Sequence, residues 1–296
     1  MNAHSRTALR YLLLPLALFA NLAIYALAVG RGWPLELSVA GMAMATFAIG
    51  WRLEAVLPFR AAWRHDHGDA RTDRWSAGFI VLVADPVLKA AFALVVPAMA
   101  SLVPVIATGS LKALPLGLQV ALATLLIELG KYWSHRLHHA LPWLWCLHAH
   151  HHASERLYAL NGLRFHPLNH AINLAASVMP AMLAGFDARA ILGYLAFSYP
   201  IVLLQHANLD LRGGWLDRVL STNVAHRWHH STRPGEANRN YGNALLVWDH
   251  LFGTFHPSAS GRSPARIGLF ASSRSPGPGY LAQLWWCRRP RDPAGA

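Results

Sequence analysis

The stretch ALPLGLQVALATLLIELGKYWSHRLHH, residues 113–139, changes character partway along. Its first part is apolar enough to lie in a bilayer. Near Leu129 the apolarity stops, and Lys131, His135 and His139 continue the same helix toward water. Residues four apart share a helix face, so His135 and His139 are expected side by side on the protruding end of a membrane helix. Two further clusters follow, HAHHH at 148–152 and HRWHH at 226–230. His148, His151 and His152 are spaced zero, three and four, and His226, His229 and His230 repeat that spacing. Each cluster is expected to aim its rings at one point. Neutral imidazole is the commonest metal ligand in proteins, and eight histidines exceed the needs of one tetrahedral ion, so two metal ions are expected. Ligand type alone leaves zinc, copper, iron and nickel open.

Working outward, the apolar segments come in pairs. YLLLPLALFANLAIYALAVG (11–30) and LELSVAGMAMATFAIGW (35–51) read as a hairpin joined by RGWP. WSAGFIVLVADPVLKAAFALVVPAMASLVPVIA (75–107) is one long kinked helix or a broken one, and residues 113–139 bring the chain back. Within it Asp85 and Lys89 stand four apart and can pair. AINLAASVMPAMLAGF and ARAILGYLAFSYPIVLLQ form a third hairpin turning at GFDAR. The expected fold is therefore all-α: integral membrane helical hairpins with a helical cap that carries a histidine-rich two-metal site. Expected units are an N-terminal transmembrane hairpin (1–52), a catalytic domain with two further hairpins (53–256), and a tail (257–296) with an interfacial helix at YLAQLWWCRR. Arg6, Arg10, Arg52, Arg60, Arg64, Arg71 and Arg74 flank the first hairpin, whose turn carries only Arg31. Positive residues collect on the cytoplasmic side. Three hairpins then return every histidine cluster to that side of a multi-pass protein, with a bacterial inner membrane as the expected location.

Composition supports this. Of 296 residues 54% are hydrophobic and 14% charged, against about 25% charged in soluble domains. The net charge of +12 is not nucleic-acid recognition, because the arginines sit beside apolar segments rather than on a solvated basic face. No cleavable signal peptide is expected from the first apolar run. Cys146 and Cys287 are too few for a disulfide framework, and Cys146 reads as an inert buried thiol. His4, His65, His67, Asp66 and Asp69 read as surface and loop residues. Trp228, Trp248 and Phe252 read as packing, and Glu128 as a tuning group or a helix-packing partner.

The three boxes resemble those of the fatty acid hydroxylase and sterol desaturase superfamily, the branch that includes alkylglycerol monooxygenase. EAVLPFR, DPVLKA, NGLRFHPLNH, LLQHANLDL and NYGNALLVWDHLFGTFHP extend the resemblance over residues 50–270. It implies a non-haem di-iron oxidoreductase that inserts oxygen from O2 into an unactivated C–H bond of a lipid. By motif match it implies His135, His139, His148, His151, His152, His206, His226, His229 and His230 as iron ligands. His166 and Asp210 stay open between ligand and ligand-orienting group, and Asp210 occupies a position where some members have another histidine. Asp249 and His250 are expected to contact the third box or its ligands, and Asn161 and Arg164 to support the second. Neither a Gly-rich nucleotide loop nor a CxxC cluster is present, so electrons are expected from a separate donor, a redox protein or a reduced pterin. A desaturase would use the same site. A metal transporter would spread ionisable residues along mid-membrane, unlike the bunching here, and a metal-dependent scaffold would consume no oxygen.

Overall fold

A computed structural model describes residues 2–102, 110–257, 262–273, 275–277 and 279–288. The end of the expected second apolar segment, 103–107, and parts of the tail lie outside the described residues. The elements are α1 (Ala3–Arg31), α2 (Leu35–Leu53), α3 (Ala70–Phe79), α4 (Asp85–Leu102), α5 (Leu116–Ala140), α6 (Pro142–His152), α7 (Pro167–Leu183), α8 (Ala188–Gln205), α9 (Asn223–His229), α10 (Pro234–Ala237), α11 (Val247–Leu251) and α12 (Tyr280–Leu284). Among the described residues there are no β-strands, only three isolated bridges.

The Asn2 side chain caps α1 by accepting from Ser5 N–H at 2.8 Å, and Gly32 ends it with φ of 67°, a left-handed conformation that suits glycine. Pro34 then precedes α2, which folds back along α1 with Asn21 Nδ2 donating to Thr46 Oγ1. α3 runs into α4 through a π-helical turn, Ile80–Ala84. The turn lies just before Pro86, whose ring would clash with a regular helical carbonyl four residues back. Asp85 and Lys89 do pair, at 2.5 Å.

α5, α7 and α8 form the centre of the bundle. Gly130 brings α5 so close to α7 that a Cβ there would overlap the Ala176 carbonyl and lie 2.7 Å from Ser177 Cα. Ile127, Ala123, Ala181 and Tyr194 fill the space between these helices. The N-terminal pair packs against α8 through Leu14, Ile201 and Leu204, in one core with Leu57 and Leu209. Glu128 is a fully buried clamp: it accepts from Tyr194 O–H on α8 and from the N–H groups of Ala244 and Leu245.

Among the described residues three helices, Ala3–Arg31, Ala70–Met99 and Ala188–Gln205, are long and apolar enough to cross a membrane. α2 and α5 are diluted by groups such as Glu36, Arg52, Gln119 and Lys131, and α7 counts 17 residues. Large apolar side chains point outward on these helices; Phe19 is 72% and Leu94 77% exposed, a surface that suits lipid better than water.

The polar cap holds two departures from expectation. Asp69 is not a loop charge: it is buried and receives the Arg156 guanidinium through both oxygens, at 2.7–3.1 Å. Cys146 is not a free thiol: it forms a disulfide with Cys287, 141 residues away. The tail folds back beside α6, where Phe270 stacks on Trp145 and Tyr280 donates to the Phe165 carbonyl. A contact across that separation leaves no local sequence signal.

Candidate metal centre

α5 ends at Ala140, one residue turns the chain, and Pro142 starts α6 at a position where its missing N–H costs nothing. The second cluster is thereby folded against the first. α8 ends at Gln205, and His206 follows as its cap residue. α9 starts at Thr222, whose side chain accepts from Ala225 N–H, and carries the third cluster.

These elements gather nine histidines into two adjoining groups. His135, His139, His148, His152 and His229 form one, and His151, His206, His226 and His230 the other; within each, ligand atoms all lie within 4.8 Å of one another. His152 of the first group stacks on His230 of the second at 4.3 Å between ring centroids. The clusters therefore do not each aim at one point. Consecutive helical residues are about 100° apart around the axis, so His151 and His152 part company, as do His229 and His230. The i,i+4 pairs His135/His139, His148/His152 and His226/His230 stay together.

The outer ring nitrogens identify which inner ones are bare. The Nδ1 of His135 meets the Tyr241 carbonyl at 2.8 Å, that of His229 the Arg239 carbonyl at 2.9 Å, and that of His151 the Arg164 carbonyl at 3.3 Å. A carbonyl only accepts, so each Nδ1 carries the proton and each Nε2 a lone pair. His206 Nδ1 meets Asn161 Oδ1 at 2.8 Å. The Asn161 amide is oriented by its other bonds: Oδ1 accepts from Tyr158 N–H and Nδ2 donates to the Arg156 carbonyl. His206 Nε2 is thus bare too. His139 Nδ1 faces Asn238, and His148 Nδ1 faces Asn169.

The inner nitrogens crowd together. His135 and His148 Nε2 are 3.0 Å apart, His206 and His226 Nε2 2.9 Å, and His226 and His230 Nε2 3.1 Å. Ligand nitrogens about 2.1 Å from an ion and at right angles to each other would be about 3.0 Å apart. The buried nitrogens His139 Nε2 and His229 Nε2 and both nitrogens of His152 lack a hydrogen-bond partner, a costly condition unless a cation meets them. Burial, reinforced by neighbouring imidazoles, pushes His148, His151, His152, His226 and His230 well below the usual histidine range. Burial likewise takes His206 to about 3 and His229 to about 4. Neutral imidazoles with inward lone pairs suit a divalent transition metal, and neither group contains a carboxylate.

The other singled-out residues lie outside both groups. His166 caps α7, accepting from Leu168 N–H, and its Nε2 faces the Leu284 carbonyl. Asp210 pairs with Arg10 at 2.8 Å. His250 is exposed, with Nε2 2.8 Å from the Arg218 carbonyl. Asp249 accepts from Tyr241 and Gly242 N–H and from Thr254, and so holds the loop whose Tyr241 carbonyl orients His135. Arg164 reaches His151 through its backbone carbonyl, while its guanidinium lies 3.3 Å from Asp73. Asn238 was not singled out in the sequence; a side-chain amide that orients a ligand carries no pattern of its own.

Apolar helices ending in clustered histidines define a histidine-box protein of membranes. The chain belongs to the fatty acid hydroxylase family, whose model matches residues 120–254, from α5 through all three clusters. It is 33% identical over 255 residues to ornithine lipid hydroxylase OlsE of Rhizobium tropici, covering 81% of this chain and 72% of that one. It is 32% identical to alkylglycerol monooxygenase of Danio rerio over 47% of this chain and 30% of that one. Fatty acid hydroxylase domain-containing protein 2 of Homo sapiens is 28% identical over 46% and 38%. No solved structure matches.

Proposed function

We propose that this chain is a multi-pass membrane di-iron monooxygenase that hydroxylates an unactivated C–H bond of a lipid, using O2 and electrons from a separate donor. The observation that supports it is the pair of adjoining histidine groups with bare nitrogens facing each other at about 3 Å. The five-histidine group would hold one iron and the four-histidine group the other. When bound, the iron pair supplies O2 activation. The chain's own residues fix ligand geometry through Asn161, Asn169, Asn238 and the carbonyls of Arg164, Arg239 and Tyr241. They also exclude water: His152, His229 and His230 are fully buried. The name of the ornithine lipid relative makes lipids with an amino-acid headgroup the first substrates to test.

The arginines flanking the first hairpin support a cytoplasmic side for the histidine cap, while the Cys146–Cys287 bridge is of a kind that persists in oxidising compartments. The arginines carry more weight, because many residues on both flanks agree. Phosphatase and fluorescent-protein fusions after Arg288 test this: an active phosphatase with a dark fluorescent partner would reverse the assignment.

The decisive experiment expresses the chain under ¹⁸O2 and profiles lipids, with iron measured on the purified protein. A new hydroxyl bearing ¹⁸O and about two irons per chain are expected. A loss of two hydrogens without label would make it a desaturase, and a single stable zinc would remove the di-iron reading.

A further inference from the structure

Outside the histidine groups, a cavity of about 350 Å³ opens where α2 ends and α3 begins. Its walls include Trp51, Glu54, Arg64, Arg74, Tyr158 and Asn208. That volume is near the lower end for small-molecule sites, about 300–1,000 Å³, so it accommodates a polar headgroup rather than a whole lipid. α3 begins a helix apolar enough to cross a membrane, and Trp51 with Arg52, both exposed, stands at the end of α2, the residue pairing that suits headgroup depth.

Its charges divide into spent and unspent. Arg156 lies against Asp69 at 2.7 Å and Asp66 at 3.5 Å, and Asp66 Oδ1 also accepts from the N–H groups of Gly68, Asp69 and Ala70. Arg64 and Arg74 are exposed, and neither makes an ion pair among the described residues. Glu54 is 8% exposed. Its Oε1 accepts from Ala159 and Asn208 N–H, both at 2.7 Å; no described donor reaches Oε2. Burial raises its carboxyl to about 7 against the two N–H groups and the nearby Arg156 charge, and a further cation alongside would lower it.

We infer that this cavity binds a zwitterionic lipid headgroup, its ammonium on Glu54 beside the Trp51 ring and its phosphate or carboxylate on Arg64 and Arg74. An ammonium against carboxylate and indole, and an anion between two guanidinium groups, are both favourable pairings. The cavity also adjoins the reaction centre. Asn208 lies two residues beyond His206, and the turn carrying Tyr158 and Ala159 carries Asn161, which holds His206. The inference rests on the proposed lipid hydroxylase and names the substrate class for it.

The test measures binding without turnover, so its failure is separable from failure of the hydroxylase reading. The full-length protein in detergent is titrated calorimetrically with dihexanoyl phosphatidylethanolamine, dihexanoyl phosphatidylglycerol and free phosphoethanolamine. The zwitterionic lipid is expected to bind about tenfold tighter than the anionic one, and free phosphoethanolamine more weakly than either. Glu54→Gln keeps the acceptor for both backbone N–H groups and should erase the preference between the two lipids. Arg64→Gln with Arg74→Gln, at two exposed positions that the core does not depend on, should weaken both lipids about tenfold. Equal affinity of the wild type for the two lipids, or full affinity in the double arginine variant, overturns the inference. Free phosphoethanolamine binding as tightly as the lipid would assign the cavity to a soluble ligand instead.

Discussion

Asn161→Ala tests the assignment of the histidines to two separate ions. The side chain is fully buried and makes three hydrogen bonds, to His206 Nδ1, Tyr158 N–H and the Arg156 carbonyl. Its loss leaves two buried groups, His206 Nδ1 and Tyr158 N–H, without a partner, at about 1–3 kcal/mol each, while the Arg156 carbonyl still accepts from the Ser154 hydroxyl. That sum is within the roughly 5–15 kcal/mol stability of a folded domain, so the variant should be weakened but recoverable. Removing a group that orients a metal-binding histidine lowers metal affinity about 10–100-fold, or roughly 1.4–2.7 kcal/mol. The loss should fall on the four-histidine group alone. Asn169→Ala is its mirror, because Asn169 meets His148 of the five-histidine group. Iron per chain is measured by plasma mass spectrometry across a chelator titration. Each single variant should give up one iron at chelator concentrations where the wild type keeps two, and the double variant should give up both. Combining Asn161→Ala with His226→Ala should add nothing, since both strike the same ion. If Asn161→Ala released both irons in one step, or neither, the division into two groups would be wrong as a description of binding.

His151→Ala should abolish hydroxylated product while leaving membrane insertion intact, as read by lipid mass spectrometry and membrane fractionation; undiminished product would remove His151 from the ligand set. In the metal-stripped protein, His229 titrates near 4 against about 6.5 in an unfolded chain. The unfolded state therefore binds the extra proton between those values, and stability falls as pH drops through that window, by roughly 3 kcal/mol at most from this group. Thermal melts between pH 7 and 4 check it, and a pH-independent midpoint would refute it. Gly130→Val should pry α5 from α7, lowering the melting midpoint and disturbing His135 and His139 together; an unshifted melt would deny the close approach. Cys287→Ser should leave the bundle folded but free the tail from α6, so limited proteolysis should cut between 262 and 288 faster than in the wild type.

The helices and the histidine clusters were legible because each rests on a local rule: apolar length for the helices, and the three-and-four spacing for the rings. The sharing of ligands was not, although the rule needed was the same one. Adjacent residues on a helix diverge by about 100°, so a box ending in two histidines has to serve two destinations, and His151/His152 and His229/His230 do. His206 came from resemblance alone, since one histidine at the end of an apolar helix has no spacing to speak for it; its place depends on Asn161, 45 residues earlier. Asp69 and Arg156 were invisible as a pair for the same reason, being 87 residues apart. Long-range links decide how the cap closes. The Cys146–Cys287 bridge and the Phe270–Trp145 stack bring the tail against α6, the helix that supplies both groups with ligands. Whatever loosens the tail therefore acts on the helix that joins the two sites, so the irons' affinities should respond together to Cys287→Ser and separately to Asn161→Ala.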